Sequence, residues 1–508
     1  QFQPITPAMA LSFMTAARLA MAAAFVIPFA AQAQDSDWEK EFWQTARQHA
    51  SEFERTTRSH FEQMRGDFNA EYAEALNGVW RIYVVKEPTE TPIRKEPDRQ
   101  PVAPAPDKKP TAPVRIIPER IVTPPSVIPP VPLTRPENPT LTLPDRRDAV
   151  KVDFFGVVCD IGSYNLPAVS YNAKEMRLGN EWKKLENNSD IASLLADCLR
   201  LREALSLCDV GYLWLCEQVA AKIHPADRDS QIFLTSFLLN QSGYDVKLGL
   251  TGKGLTLLMH TDLPVNGSYY LTIDNKRYYI REHELGLKQI VTYDAAYAPG
   301  DAIPLRMVPD RMPLLDPERK STVSYSSKRW TGEPEFTVTV SEPDMEFFKG
   351  YPMMSWENYI KAPLSENFRS QVIETLRGRL VGLNTFDGVR KLLEYVQFGF
   401  DYMTDTEQYH REKINFPEEN FYYPANDCED RSILFATLVS ELYGLDVVFL
   451  HYDMHLSTAV DFSDPTIKGD FLNIDGHHYV MCDPTFLGAR IGMSMPQYKD
   501  KKPEVYRR

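Results

Sequence analysis

The chain has no long run of lysine or arginine and carries a formal charge of −14, which argues against nucleic acid as its main partner. It has no CxxC pair and no HExxH segment, so no zinc-site spacing is written into it. Six cysteines in 508 residues (Cys159, Cys198, Cys208, Cys216, Cys428 and Cys482) are too sparse for a disulfide framework. Cys208 and Cys216 fall in a helical pattern and read as small buried apolar residues. Carboxylates at a spacing that would mark a carbohydrate-active enzyme are also missing. Beyond residue 33 no stretch reaches about eighteen uninterrupted apolar residues, so no membrane span is expected. What remains is 43% apolar and 25% charged, the balance of a globular chain long enough for two or three domains.

The first residues read as an export signal. Arg18 supplies a positive flank, Leu19 to Ala30 an apolar run too short to span, and Ala31-Gln32-Ala33 a small-x-small cleavage site. With Met14 as the start, residues 14–33 are the expected signal peptide, and a bacterial periplasmic or secreted protein follows from it. A short amphipathic anchor is the competing reading. Residues 34–86 read as helical, because Phe61, Met64, Phe68, Tyr72 and Leu76 recur every three or four positions between 35 and 83. That stripe packs on the main body or a second copy, or docks a protein partner. Residues 87–150 hold 17 prolines in 64 positions and are expected to form a stiff, extended spacer. Residues 151–300 and 345–508 each read as an α/β domain. The connector, 301–344, includes a strand signal from Glu335 to Val340.

The two domains resemble one another. Shifted by 201 positions, QIFLTSFLLNQSGYDV falls on SILFATLVSELYGLDV, and LTIDNKRYYI on LNIDGHHYVM. The second copy carries about 26 extra residues just before Cys428.

Around Cys428, Pro424 and Asn426-Asp427 give turn chemistry. From Ser432 the apolar positions follow a helical period that Gly444 terminates. Cys428 is therefore expected at a helix N-terminus, where backbone N–H groups and the helix dipole favour a thiolate. Strands are expected from Asp446 to Leu450, His455 to Val460, Phe471 to Ile474 and His478 to Cys482, with Asp475-Gly476 as a hairpin turn. This order brings a thiol, an imidazole and a carboxylate within reach as nucleophile, base and orienter: Cys428, His455 and Asp483. His451, His477 and His478 compete for the base role, and Asp461 and Asp475 for the orienting role. Cys482 is a possible disulfide partner of Cys428. Shifted by 201, the triad falls on Asp227, Gly254 and Glu282, so the first copy is expected to be non-catalytic.

The ordered set, Asn426-Asp427-Cys428-Glu429-Asp430, the helix to Gly444, His455 and Cys482-Asp483-Pro484-Thr485, resembles the transglutaminase-like superfamily of papain-related cysteine enzymes, in particular bacterial cysteine proteases. LLEYVQFGFDY at 392–402 is similar to the helix preceding that family's nucleophile. The resemblance covers roughly 365–490. It implies an α+β, papain-like C-terminal domain with Cys428 as nucleophile, His455 as base and Asp483 as orienter. The oxyanion hole would pair the Cys428 N–H with one side-chain donor from Gln397, Asn420, Tyr423 or Asn426. Some members of that family bind calcium near such an acidic loop, and the resemblance would make Asp427, Glu429 and Asp430 the ligands here. Capping of the helix is the favoured role for these acids. Leu456 and Asn426 depart from the family's usual residues. The expected activity is hydrolysis of peptide or side-chain amide bonds in a protein or peptide substrate. Amide cross-linking and a non-catalytic envelope scaffold are the alternatives.

Overall fold

A computed structural model describes residues 69–88, 99–104, 112–122, 149–172, 176–281, 287–293, 302–316, 319–326 and 337–507. The signal-peptide region and most of the N-terminal helical stripe lie outside these. The chain divides into two compact units, 1–74 and 75–508. Of the first, residues 69–74 are described and are helical.

The second unit is α+β. It begins with strand β1 (Trp80–Val84), where the sequence led us to expect helix. Valine, isoleucine, tyrosine and tryptophan suit a pleated edge better than a helix, and β1 pairs with a later strand. A short strand, β2 (Arg120–Val122), comes next. The hairpin β3 (Val150–Phe154) and β4 (Val157–Ile161) then leads into helices α1 (Leu178–Glu186), α2 (Ile191–Ala204), α3 (Asp209–Ile223) and α4 (Arg228–Gln241). Strands β5 (Val246–Thr251), β6 (Gly254–His260), β7 (Tyr270–Ile273), β8 (Lys276–Ile280) and β9 (Gln289–Tyr293) complete the first half. A hairpin, β10 (Lys320–Ser326) and β11 (Thr337–Ser341), occupies the connector.

The second half holds α5 (Glu342–Gly350), a helix interrupted by a π-turn at Arg369–Ile373, α6 (Thr385–Gly399) and the short strands β12 (Asp401–Tyr402) and β13 (Ala425–Asn426). Between those strands lies α7 (Asp405–Tyr409). Helix α8 (Cys428–Tyr443) follows, then β14 (Val447–Tyr452), β15 (His455–Asp461), β16 (Phe471–Ile474), β17 (His477–Cys482) and β18 (Glu504–Tyr506).

Each half builds a six-stranded sheet: β1-β9-β5-β6-β8-β7 in the first and β2-β18-β14-β15-β17-β16 in the second. The spatial order is the same, and β14 to β17 begin 201 residues after β5 to β8. A hydrogen-bonded pair repeats at the same offset: Tyr278 Oη donates to Asp245 (2.9 Å), and Tyr479 Oη to Asp446 (2.6 Å). The outer strands differ, since β1 runs antiparallel to β9 but β2 runs parallel to β18.

The proline-rich stretch is not simply a free spacer. Ala103 N–H bonds the Leu487 carbonyl (2.8 Å), Ile116 N–H bonds that of Phe471 (2.7 Å), and β2 extends the second sheet. Prolines leave alternate backbone groups able to pair at a sheet edge, and these pieces use them there. Ile116 joins Val448, Leu450, Leu472 and Met481 in a core on one face of the second sheet. Helix α8 packs against β14 and β15 and against α6. Its end is set by Gly444 at φ 65°, the left-handed turn glycine adopts without Cβ strain.

Candidate functional site

Cys428 is the first residue of α8, behind Asp427, whose carboxylate caps the helix by accepting from Asp430 N–H (3.4 Å). Four residues on, Ser432 Oγ donates to the Leu456 carbonyl (3.0 Å). Residues i and i+4 share a helix face, so Cys428 lies on the face of α8 that is turned toward β15. His455 Nε2 lies 2.8 Å from Asp483 Oδ2. A carboxylate only accepts, so Nε2 carries the proton and Nδ1 the lone pair. Among the described residues Nδ1 has no hydrogen-bond partner. The ring is stacked on Tyr498 (5.3 Å between centroids, 15° between planes). Asp483 also accepts from Thr485 N–H (3.0 Å) and Phe486 N–H (3.1 Å), the turn chemistry of Asp-Pro-Thr. Cys428 and His455 are 0% exposed and Asp483 is 1%.

The competitors sit elsewhere. His451 faces Glu504, His477 pairs with Asp461 (2.7 Å), and His478 contacts Asn473. Asp475 meets Arg507 at an exposed turn. All six cysteines are free thiols, so no Cys428–Cys482 disulfide is present. Burial pushes the Cys482 thiol well above its ordinary range.

Three of the four oxyanion candidates have their side-chain donors committed to other contacts. Gln397 donates to the Asp483 (2.9 Å) and Ala489 (3.1 Å) carbonyls and accepts from Gly488 N–H, so it positions the Asp483 loop. Asn426 donates to Asn420 (2.8 Å) and accepts from buried Arg431 (2.7 Å), while the Asn420 amide turns back to the Phe416 and Pro417 carbonyls. Tyr423 packs edge-on to Tyr409 and under Lys413.

Two features carried no readable signal in the sequence. The Cys428 thiol donates to its neighbour Glu429 (3.0 Å). The extra segment before Cys428 folds Asp405 and Glu412 onto the acidic turn. One carboxylate oxygen each from Asp405, Asp427 and Asp430, and likewise from Asp405, Glu412 and Glu429, lies within 4.8 Å of the others. These are the residues that could hold a cation, and the set extends the expected Asp427, Glu429 and Asp430. They also have internal partners: Asn415 donates twice to Asp430 (2.8 and 2.7 Å), and Lys413 N–H donates to Asp405 (2.5 Å). Burial, then the neighbouring Asp430 and Glu429 charges, pushes Asp405 up to about 9. Burial and Glu429 push Asp430 to about 7.

In the first half, Asp227 caps α4 and bonds Ser230. Gly254 has φ 113°, and a Cβ there would meet Asp229 Oδ1 at 2.4 Å. The Asp229 carboxylate, held by Tyr171 (2.5 Å) and Leu255 N–H (2.9 Å), thus abuts the position equivalent to His455. Glu282 lies outside the described residues. Among the described residues no helix is long and apolar enough to cross a membrane. Neither a protein family model, a curated protein nor a solved structure matches this chain.

Proposed function

We propose that the second half is a transglutaminase-like, papain-related cysteine hydrolase of an exported bacterial protein, and that it cleaves peptide or side-chain amide bonds. The observation that carries this reading is the buried His455–Asp483 pair, which fixes the imidazole with a basic nitrogen on the side away from the carboxylate. In this reading Cys428, the first residue of α8, supplies the nucleophile.

The Cys428 S–H proton passes to His455 Nδ1 as sulfur attacks the substrate carbonyl carbon. Asp483 stabilises the imidazolium that forms. The tetrahedral oxyanion collapses, the C–N bond breaks, and His455 returns its proton to the leaving nitrogen. Water then gives a proton to His455 and attacks the thioester carbonyl, the C–S bond breaks, and the thiol is reprotonated. The Cys428 backbone N–H is one oxyanion donor. With an amine in place of water the same thioester gives cross-linking.

Full burial of the thiol and its bond to Glu429 favour a second reading, a non-catalytic envelope scaffold. A peptide vinyl sulfone panel separates the two. In the hydrolase reading, intact mass shows one adduct, mapped to Cys428 and lost in His455→Ala. In the scaffold reading, no peptide probe labels Cys428.

A further inference from the structure

The first half keeps a cavity in the crease where the second half holds its triad helix against its sheet. It is lined by Arg228, Gln231 and Ile232 of α4, Leu257 of β6, Glu217 of α3 and Arg281 just beyond β8, and its volume is about 300 Å³. At the 201-residue offset, Gln231, Leu257 and Arg281 correspond to Ser432, Thr458 and Cys482. Those three are 0% exposed, and Ser432 and Thr458 bond backbone carbonyls, so the equivalent crease in the second half is closed. Opening the crease in the first half went with a change of chemistry: Arg281 stands where the second half has the small neutral Cys482, and Arg228 where it has the buried acid Glu429, over an apolar floor.

Both guanidiniums are held in place. Arg281 makes a forked pair with Glu217 (2.7 and 3.0 Å), which fixes its plane. Arg228 Nη1 donates to the Leu255 carbonyl (2.7 Å). Fixed planar cations match a carboxylate geometrically, and little side-chain entropy is lost on binding. Ile232 and Leu257 offer an apolar surface between them. The volume stands at the low end of ligand pockets, which run from about 300 to 1,000 Å³.

We propose that this cavity binds the C-terminal end of a very short peptide or a free amino acid, with the α-carboxylate toward Arg228 and Arg281 and a small apolar side chain on Ile232 and Leu257. The first half is then a ligand-binding repeat that has lost the nucleophile and base.

The test is calorimetric titration of the full chain, as Cys428→Ser, with glycyl-leucine and with glycyl-leucinamide. The free dipeptide is expected to saturate one site, and the amide to bind at least tenfold more weakly. Ile232→Trp, which fills the cavity, and Arg228→Gln, which removes one cation, should each weaken the dipeptide at least tenfold. Circular dichroism of each variant reports its fold. If Ile232→Trp misfolds, Arg228→Gln decides. No saturable binding, equal binding of the amide, or undiminished binding by a folded variant overturns the proposal.

Discussion

Replacing Asp483 by asparagine and by alanine separates its packing role from its effect on His455. In the native chain its carboxylate takes three bonds: His455 Nε2 on one oxygen, Thr485 N–H and Phe486 N–H on the other. Asparagine keeps an oxygen for the two backbone donors and turns its NH₂ toward the ring. Two donors cannot face each other, so Nε2 must give up its proton and Nδ1 must carry one. The cost is one charge-assisted bond exchanged for a neutral one, about 1–2 kcal/mol. Alanine strands two buried N–H groups and the imidazole together, which costs about 3–5 kcal/mol. Urea denaturation measures both, and ring ¹⁵N shifts of His455 report the tautomer. Asn should shift the midpoint modestly and move the ring proton to Nδ1. Ala should destabilise at least twice as much. Equal destabilisation by the two, or an unchanged tautomer in Asp483→Asn, would refute the role assigned to this carboxylate.

Stability should fall with rising pH. Asp405 and Asp430 are pushed up to about 9 and about 7, and Glu418 and Asp344, also by burial, to about 8 and about 6. The folded chain therefore holds protons that the unfolded chain loses near pH 4, and the stability they give is full below about pH 4 and is lost as pH rises through the folded values. Melting temperature should decline between pH 5 and 9, more shallowly in Asp405→Asn, and a rise over that range would contradict the buried-acid assignment. Calcium at pH 8 should leave the melting temperature unchanged if these acids serve the helix turn and the Lys413 loop, whereas a saturable increase would make them a cation site. Gln397→Leu removes two donors and an acceptor around the Asp483 loop and should cost about 2–4 kcal/mol in urea denaturation, against no loss if that loop holds itself. Cys159 and Cys208 are each raised by burial to about 11, and Cys198 and Cys482 are raised well above the ordinary thiol value, so peptide mapping after native alkylation should find these four unmodified.

The parts legible in the sequence are those with local signals. The apolar period from Ile433 to Leu442, the stop at Gly444, and the short β-branched runs mark α8 and β14 to β17 to within a residue or two. Their order places His455 on β15 and Asp483 one residue beyond β17, the strand that pairs with it. Illegible parts depend on contacts across long separations. Trp80–Val84 becomes a strand because β9, some two hundred residues away, offers it an edge. Proline content hides the strand at Arg120–Val122, because proline frequency reports missing donors and not the partner waiting for those that remain. The acidic turn reads as a helix cap, and Asp427 does cap α8. Nothing local says that Asp405 and Glu412 fold back upon it. Side-chain donors fare worst: Gln397, Asn420 and Asn426 looked available for an oxyanion, and each is turned to a neighbouring carbonyl, backbone or side-chain.

The most direct measurement is the pH dependence of Cys428 alkylation by iodoacetamide in the full chain and in His455→Ala. An activated thiol gives an apparent pKa well below the free value of about 8.5 in the native protein and loses it in the variant. If both proteins react like an ordinary thiol, or Cys428 stays inert in both, the nucleophile–base pair is contradicted and the scaffold reading stands.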